Sequence, residues 1–428
     1  MSTPKKHISY QFGGPIGALG VTLGTPFVTY ALYFLCNENG CPSQSFLDAP
    51  LQHLAAQWPG WDKVFSSKVF GYYCAWYFGI AAAQFILPGK TYEGVELPDK
   101  TRLKYKLNVL QTAITIFGYL GLMTYREGFS FGIWSWIWEN LLYLQTAALT
   151  FSIILAFYTY ISSFFTGEIL AEHGDTGNPL YDWFIGRPLN PRIGSWDLKC
   201  FSELRPGMIL WPILNFTFLV HQYQTVGRIT DSMILVNVFQ FWYVIDSFIN
   251  EPAVLTTMDI ATDGFGFMLT FGDLCWLPFT YSLQARYLAM YPVDLGLLGV
   301  GGVLLVQAIG YFIFRGANGQ KNKFRTNPND PACAHLKVMH TKSGSKLLIT
   351  GWWGIARHIN YLGDWIMAWA WCLPTGFGTP ITYFYVAYFA VLLIHRDRRD
   401  EEKCVKKYGE DWEKYKKLVP YRIIPGIY

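Results

Sequence analysis

Near the C-terminal end of the sequence, a group of polar side chains could bind a phosphorylated organic cofactor. Arg357, His358, Asn360 and Tyr361 lie together in the string GWWGIARHINYLGDW, at the start of an apolar run. Their donors and acceptors could fix a carboxamide or a diphosphate. The glycine-rich string Gly299–Val303 lies inside an apolar segment, without the strand–turn–helix context of a dinucleotide fingerprint, and the sequence contains no Walker P-loop. A nucleotide bound here would therefore be held without either standard phosphate cradle.

A second charged group follows the last apolar run of the chain. His395, Arg396, Arg399 and Asp400 open the string HRDRRDEEKCVKKYGEDWEKYKK. In a helix, Arg396 would lie one turn before both Arg399 and Asp400. A solvated amphipathic helix explains much of this segment equally well, and it suits the residues Glu401, Glu402, Lys416 and Lys417 best.

Acidic residues also occur inside or beside apolar helical sequence. Because a charge in hydrocarbon costs several kcal/mol, such acids are candidates for function. Tyr243, Asp246 and Asn250 share one helix face at positions i, i+3 and i+7. We expect Tyr243 and Asp246 to line a pocket, and the Asp263-Gly264 pair to form a turn.

The elements that must position these residues are membrane helices. Only 15% of the 428 residues are charged and 52% are hydrophobic, whereas soluble domains carry about 25% charged residues. Four uncharged runs are long enough to cross a bilayer: Gly13–Leu35, Val69–Leu87, Asn140–Thr166 and Leu295–Phe314. The stretch Trp365–Ile394 could be one broken span or the ends of two, and weaker spans are expected near residues 107–124, 208–226, 232–250, 265–289 and 346–364.

These runs predict an all-α, polytopic membrane protein of about ten transmembrane helices. We expect one integral-membrane domain over residues 1–428, with N-terminal helices and a polar loop in 1–230. Residues 231–428 would hold the substrate pocket and the cofactor-binding half. The N-terminal sequence lacks the pattern of a cleaved signal, so the first apolar run is expected to be a retained span.

Charge placement and cysteine spacing add two expectations. Residues 315–346 contain seven Lys/Arg and one acid, and the tail after Ile394 contains ten Lys/Arg and seven acids. By the positive-inside rule, both segments face the cytoplasm. Cys36 and Cys41 are close enough in a loop to form a disulfide, although nothing requires it. No cysteine or histidine pair has metal-ligand spacing, so no metal is expected.

The polar loop 167–205 carries the string GNPLYDWFIGRPLNPR, which suits a lid or a docked interfacial segment. This string closely resembles a signature segment of the sterol reductases, the family of the Δ14- and Δ7-sterol reductases and the reductase domain of the lamin B receptor. The blocks 239–287 and 351–428 resemble that family too, in the same order. The chain lacks the long N-terminal region of the lamin B receptor and is most similar to a stand-alone Δ14-sterol reductase.

The resemblance implies reduction of a sterol ring double bond with NADPH in a multi-pass membrane protein. That membrane would be the endoplasmic reticulum in a eukaryote or the cytoplasmic membrane in a bacterium, with the NADPH site facing the cytoplasm. The partners would be a sterol and the lipid bilayer, with no nucleic acid. The implied cofactor-binding residues are Lys321, Arg325, Leu348, Trp353, Asn360, Tyr361, Arg396, Asp400, Cys404, Val405, Lys406, Lys407, Tyr408 and Tyr415. Sterol reductases usually have proline where this chain has Ile359, which puts the local kink in question.

The implied reaction adds a proton and a hydride to an isolated alkene, so it needs a positioned acid, a dry cavity and electron-rich groups near the cation. Tyr243 and Asp246 are the candidate catalytic residues on the proton path, and the rings of Trp242 and Tyr243 could stabilise the cation. A Δ7-sterol reductase is an alternative. An isoprenylcysteine-type membrane methyltransferase shares the C-terminal layout but does not account for 239–287. A transporter or non-catalytic sterol-binding scaffold is a further alternative, although no internal repeat supports a transporter.

Overall fold

The computed structural model describes residues 10–42 and 44–428, and these are mainly helical. The predicted all-α class is therefore confirmed, with three short hairpins as additions. The α-helices of the described residues are α1 (Gly14–Leu35), α2 (Gln44–Asp48), α3 (Pro50–Gln57), α4 (Ser67–Ile86), α5 (Val109–Glu127), α6 (Gly132–Glu139), α7 (Leu141–Ser162), α8 (Pro179–Ile185), α9 (Leu198–Leu204), α10 (Pro206–Val226), α11 (Asp231–Ile249), α12 (Met258–Ala261), α13 (Phe267–Phe271), α14 (Leu277–Tyr281), α15 (Leu283–Met290), α16 (Gly296–Thr326), α17 (Trp352–Ile355), α18 (Ile359–Cys372), α19 (Phe384–Tyr408) and α20 (Glu410–Leu418). The strands form three antiparallel pairs: β1 (Lys90–Glu96) with β2 (Arg102–Leu107), β3 (Arg192–Ile193) with β4 (Trp196–Asp197), and β5 (Val338–His340) with β6 (Lys346–Leu348).

Within the described residues, five helical segments are long and apolar enough to cross a membrane. They are Gly14–Leu35, Trp61–Ile86, Leu141–Ser162, Asp231–Ile249 and Gly296–Thr326. This is the architecture of a polytopic membrane protein, while the expected total of about ten spans stays a prediction. The start of the chain that bears on signal cleavage, residues 1–9, lies outside the described residues.

The structure corrects one expectation about the elements, decides an alternative that the sequence left open, and adds a hairpin. The segment 346–364 is not a span, because it contains β6, the short α17 and only the start of α18. The stretch 365–394 belongs to two helices, since the chain leaves α18 at Cys372 and re-enters helix at Phe384. The charged loop 90–106 is a hairpin, in which β1 and β2 pair in register from Lys90 opposite Leu107.

One compact unit comprises the residues up to Ile229 together with Asn237–Pro292. The polar loop is docked within this unit. Asn178 caps α8 by accepting from the Tyr181 backbone N–H, and Asp197 caps α9 in the same way. The buried ammonium of Lys199 donates to the backbone carbonyls of Ile260, at 2.9 Å, and Asp263, at 2.6 Å. These contacts favour the interpretation of the loop as a docked segment.

Other buried polar contacts hold the same unit together. The Arg205 guanidinium is fully buried and lies 2.7 Å from a carboxylate oxygen of Glu251, whose other oxygen accepts from the Val109 backbone N–H. The pair therefore ties together the starts of α5 and α10 and the turn after α11. Cys36 and Cys41 form a disulfide in the loop after α1, the pairing that the spacing allowed.

The second unit comprises Thr230–Val236 and Val293–Tyr428. Its main contact is between α16 and α18, where two glycines let the helix backbones approach closely. A Cβ atom at Gly310 would lie 2.8 Å from the Gly363 carbonyl oxygen, and one at Gly363 would lie 2.5 Å from the Phe314 nitrogen. Small residues are the usual way to bring membrane helices together. The prediction of a single domain with its halves meeting near residue 231 stays a prediction.

Candidate cofactor site

The site begins at the charged end of α16. This helix has 31 residues and is therefore about 46 Å long, whereas the hydrocarbon core of a bilayer is about 30 Å thick. Its uncharged part ends at Phe314, so the last three turns, which carry Lys321 and Arg325, extend beyond the span. The spacing of four residues places both cations on one helix face.

A cavity of about 300 Å³ opens beside this face, within the second unit. That volume is at the lower end of the range for small-molecule sites. Nine of the predicted cofactor residues line it: Lys321, Arg325, Leu348, Trp353, Asp400, Cys404, Lys407, Tyr408 and Tyr415. Residues that are far apart in sequence therefore meet in one concave surface, contributed by α16, β6, α17, α19 and α20.

Hydrogen bonds fix the aromatic walls of the cavity. The Trp353 indole N–H donates to the Ala317 carbonyl oxygen at 2.9 Å, and the Lys321 ammonium lies 4.0 Å from the centre of the Trp353 ring. The Tyr415 hydroxyl donates to the Leu348 carbonyl oxygen at 3.1 Å, which fastens α20 to the β5–β6 hairpin. Both rings are buried. The walls are thus ordered by contacts that do not need a ligand.

Burial changes the titration of three groups in the cavity. It lowers the pKa of Lys321 to about 8, and the neighbouring Arg325 cation adds to this effect. It raises the pKa of Cys404 to about 12, and the nearby Asp400 carboxylate adds to that. Burial also raises the pKa of Tyr415. Near neutral pH the thiol and the phenol are therefore uncharged, and the Lys321 ammonium loses its proton close to pH 8.

Positive charge predominates on the cavity wall. The cations Lys321, Arg325, Lys346, Arg357, Lys403 and Lys407 line it, and Asp400 is the one carboxylate among its lining residues. Such a surface favours phosphate groups, which arginine and lysine bind by charge-assisted hydrogen bonds. The aromatic rings beside these cations offer flat surfaces for a nucleotide. In charge and shape, the cavity suits a ligand that carries phosphate groups and flat rings.

Comparison with known proteins identifies the kind of protein that carries this site. Residues 6–428 match the Ergosterol biosynthesis ERG4/ERG24 family. The chain belongs to this family. It is 55% identical to Delta(14)-sterol reductase erg24 of Schizosaccharomyces pombe, over 99% of this chain and 98% of that protein. It is 53% identical to the Delta(14)-sterol reductase of Ascobolus immersus, over 98% and 99%, and 48% identical to that of Candida albicans, over 98% and 97%.

The resemblance indicated by the three sequence blocks is therefore confirmed.

Five of the predicted cofactor residues are not among the lining residues of the cavity. Asn360 donates to the Asn318 side chain at 3.3 Å, and the Tyr361 ring stacks on His358 at 4.8 Å, so both lie next to the wall. Arg396 is half-buried on α19, and the other two, Val405 and Lys406, are exposed.

Helix geometry explains why part of the segment 404–408 is off the wall. A family pattern read as a continuous string cannot place five consecutive helical side chains on one face. On α19 the lining residues are Asp400, Lys403, Cys404, Lys407 and Tyr408. They follow the i, i+3, i+4, i+7, i+8 spacing of a single helix face.

The same spacing would have predicted Lys403 as a lining residue, but Lys403 was not among the predicted cofactor residues. Arg357 and His358 belong to the polar cluster that could fix a carboxamide or a diphosphate, although the family resemblance did not include them among the cofactor residues. Both line the cavity. Lys346 lines it from the β5–β6 hairpin, which no periodic pattern in the sequence indicated. Phe324, Leu347 and Trp412 complete the apolar part of the wall.

The candidate catalytic residues lie on α11, in the part that belongs to the first unit. Tyr243, Asp246 and Asn250 are all half-buried, as expected for one shared helix face. The Tyr243 ring centre is 6.2 Å from that of Trp211, and the Asp246 carbonyl oxygen accepts from the Asn250 side-chain amide at 2.7 Å. Trp242, the other aromatic candidate, is 47% exposed.

Proposed function

We propose that the chain reduces the C14=C15 double bond of a sterol biosynthetic intermediate, with NADPH as the reductant. The observation that carries the proposal is the full-length similarity to proteins named Delta(14)-sterol reductase, at about half of all positions identical. The basic, aromatic-lined cavity supports it from the structure. Such an enzyme is an oxidoreductase of sterol biosynthesis that acts on a carbon–carbon double bond.

The cavity residues suit NADPH in charge and in shape. Lys321, Arg325 and Lys407 would hold its phosphate groups, and the Trp353 and Tyr408 rings would flank its flat parts. NADPH supplies a hydride when bound. An extra phosphate distinguishes NADPH from NADH, and the excess of cations on the wall favours the cofactor with more negative charge.

Residues of the chain must also deliver a proton to the alkene. An isolated double bond accepts a hydride poorly, so a proton has to reach it before or together with the hydride. The Tyr243 hydroxyl and the Asp246 carboxyl group are proposed to hold that proton, and the Tyr243 ring would stabilise the positive charge that develops on the ring carbon. The reaction would also need a dry surrounding, since water would compete for this charge.

The membrane and orientation follow from the same proposal. Five of the six Lys/Arg residues that line the cavity come from the segments 315–346 and 395–428, which we expect to face the cytoplasm by the positive-inside rule. Soluble NADPH could then enter directly from the cytoplasm. In a eukaryotic cell, we place the protein in the membrane of the endoplasmic reticulum.

The decisive experiment is NADPH-dependent conversion of a Δ8,14-diene sterol by purified protein, with analysis of the product. A 7-dehydrosterol and an Arg396→Gln variant are run in parallel. Loss of the C14 double bond in the wild type, with a reduced rate in Arg396→Gln, is the expected result. Reduction of the 7-dehydrosterol alone would make the protein a Δ7-sterol reductase. Absence of both reductions, together with absence of NADPH binding, would refute the proposal.

The proton path is tested separately, with Tyr243→Phe and Asp246→Asn. Removing a general acid typically lowers a rate by about 10²–10⁴-fold, so at least one variant should lose turnover while still binding NADPH. Val238→Ala, at an exposed position on the same helix, is the matched control. Unchanged turnover in both Tyr243→Phe and Asp246→Asn, at normal protein levels, would remove these residues from the proton path.

A further inference from the structure

The wall of the cavity is supported from behind by the C-terminal segment Val419–Tyr428. The Arg357 backbone N–H donates to the Tyr421 carbonyl oxygen at 3.0 Å, and the His358 backbone N–H donates to the Arg422 carbonyl oxygen at 2.7 Å. The Arg357 guanidinium donates to the Val419 carbonyl oxygen at 3.0 Å. Both Arg357 and His358 line the cavity, so the segment directly fixes the backbone of the wall.

A buried carboxylate extends this contact to the side chains. Asp397 is 1% exposed, and its two oxygens face different partners. Oδ2 accepts from the Arg422 guanidinium at 2.7 Å and from the Tyr428 hydroxyl at 3.1 Å. Oδ1 lies 3.4 Å from the His358 Nε2 atom. One carboxylate therefore joins the C-terminal segment to a ring that faces the cavity.

The ring of His358 has three close neighbours. Its Nε2 atom is 3.4 Å from an Asp400 oxygen as well as from Asp397, and its face stacks on the Tyr361 ring at an interplanar angle of 12°. Asp400 is itself a lining residue. A shift of Asp397 would thus move His358 and change how Asp400 is held at the cavity surface.

The segment in turn is closed on itself. The Tyr428 backbone oxygen accepts from the backbone N–H groups of Arg422, Ile423 and Ile424 at 2.9–3.1 Å. The Arg422 guanidinium also lies over the Tyr428 ring, 5.7 Å from its centre. This turn holds the phenol and the guanidinium side by side on the same carboxylate oxygen. It makes the two donors act as a unit, since displacing one displaces the other.

We propose that Tyr428 and Arg422 are positioning residues for the cofactor site and act on bound NADPH through Asp397, His358 and Asp400. The inference rests on the proposed NADPH-binding function and goes beyond the residues that the family resemblance implied. Burying a carboxylate is unfavourable unless it is paired and hydrogen-bonded. The C-terminal segment supplies that pairing, and the second oxygen of Asp397 carries its effect to the wall.

The test measures NADPH binding and turnover of the full-length protein with a Δ8,14-diene sterol. Tyr428→Phe removes one hydroxyl and leaves the ring in place. Loss of one hydrogen bond in such a network corresponds to about a three- to tenfold change in an equilibrium constant. We expect Kd and KM for NADPH to rise by that factor, with kcat within about twofold. The melting temperature should fall slightly, because Asp397 loses one hydrogen bond. Tyr125→Phe, at a tyrosine that is 89% exposed, should change none of these.

A second variant decides the matter if Tyr428→Phe does not fold. Arg422→Lys keeps a cation near Asp397 but loses the guanidinium geometry, so KM for NADPH should rise again without a matching loss in kcat. A lower melting temperature or active fraction with wild-type KM would show a purely structural contact and overturn the inference. So would a wild-type KM in both variants.

The outcomes also separate this inference from the function on which it rests. Wild-type protein that binds no NADPH would refute both. If the wild type binds NADPH and Lys321→Gln weakens that binding, the proposed cofactor site stands. An unchanged Kd in Tyr428→Phe and Arg422→Lys would then overturn only the positioning role.

Discussion

The affinity for NADPH should fall as the pH rises through about 8, because of one lysine. Burial lowers the pKa of Lys321 to about 8, and the Arg325 cation adds to this effect. A phosphate bound beside the ammonium favours its charged form and therefore raises this pKa towards its ordinary value. Binding is then strongest below pH 8, where the free protein already carries the proton, and it weakens above pH 8, where binding has to take up a proton.

The size of this effect follows from the pKa of Lys321. With a pKa of about 8 in the free protein, Lys321 is about nine-tenths protonated at pH 7 and about one-tenth protonated at pH 9. If the bound form stays protonated over this range, Kd rises about tenfold between the two pH values, which is about 1.4 kcal/mol. Cys404 and His358 do not titrate in this window, since burial raises the pKa of the first to about 12 and lowers the pKa of the second. Phosphate monoesters titrate near pH 6 and contribute little.

The assay is a titration of the purified protein with NADPH at pH 7, 8 and 9 and constant ionic strength. Quenching of tryptophan fluorescence is a suitable signal, because Trp353 and Trp412 line the cavity. The control is Lys321→Arg, which keeps its charge throughout and should show a nearly flat dependence. A flat wild-type dependence would contradict the assignment of Lys321 to a phosphate. An equal tenfold loss in Lys321→Arg would show that another group titrates, and would refute the reasoning.

Three further outcomes follow from contacts described above. Glu251→Gln leaves the buried Arg205 guanidinium without its carboxylate. This should lower the free energy of unfolding by about 3–5 kcal/mol and lower the melting temperature in detergent. An unchanged melting temperature would show that the pair contributes little. Gly363→Ala places a methyl group against the α16 backbone and should cost about 1–3 kcal/mol, while Gly302→Ala, with open space around it, should be neutral. Trp353→Phe removes the indole N–H that donates to the Ala317 carbonyl oxygen and should raise Kd for NADPH by about three- to tenfold. A wild-type Kd would place the cofactor elsewhere.

Composition and uninterrupted apolar runs were enough to predict a helical membrane protein. They could not predict where a helix breaks when the break is made by tertiary contacts. The segment 346–364 illustrates this: its apolar residues suggested a span, yet Lys346–Leu348 pairs as a strand with Val338–His340. A two-stranded hairpin gains little from its own sequence pattern, since most of its stability comes from what it packs against. Here it packs against α20 through the Tyr415–Leu348 hydrogen bond.

The residues of the cofactor site were predictable where one helix face carries them. Between Asp400 and Tyr408, the residues at helical spacing line the cavity. Val405 and Lys406 were predicted only because the family pattern is a continuous string, and both are exposed. By contrast, Asp397 and Tyr428 are 31 positions apart, and no periodicity relates them. Such a contact depends on how the chain folds back after α20. Only the structure shows that it lies behind the cavity wall.

Ile359 stands where the family usually has a proline, and the C-terminal segment takes over the proline's role of breaking the helix. A proline at this point would end one helix and start the next by steric exclusion. In this chain the break is nevertheless present, because α17 ends at Ile355 and α18 begins at Ile359. Of the three intervening residues, Arg357 and His358 donate their backbone N–H groups to the carbonyl oxygens of residues 421 and 422 instead of to a preceding helical turn. The C-terminal segment thus keeps the kink that the sequence had put in question, and the same contacts hold the wall of the cofactor site.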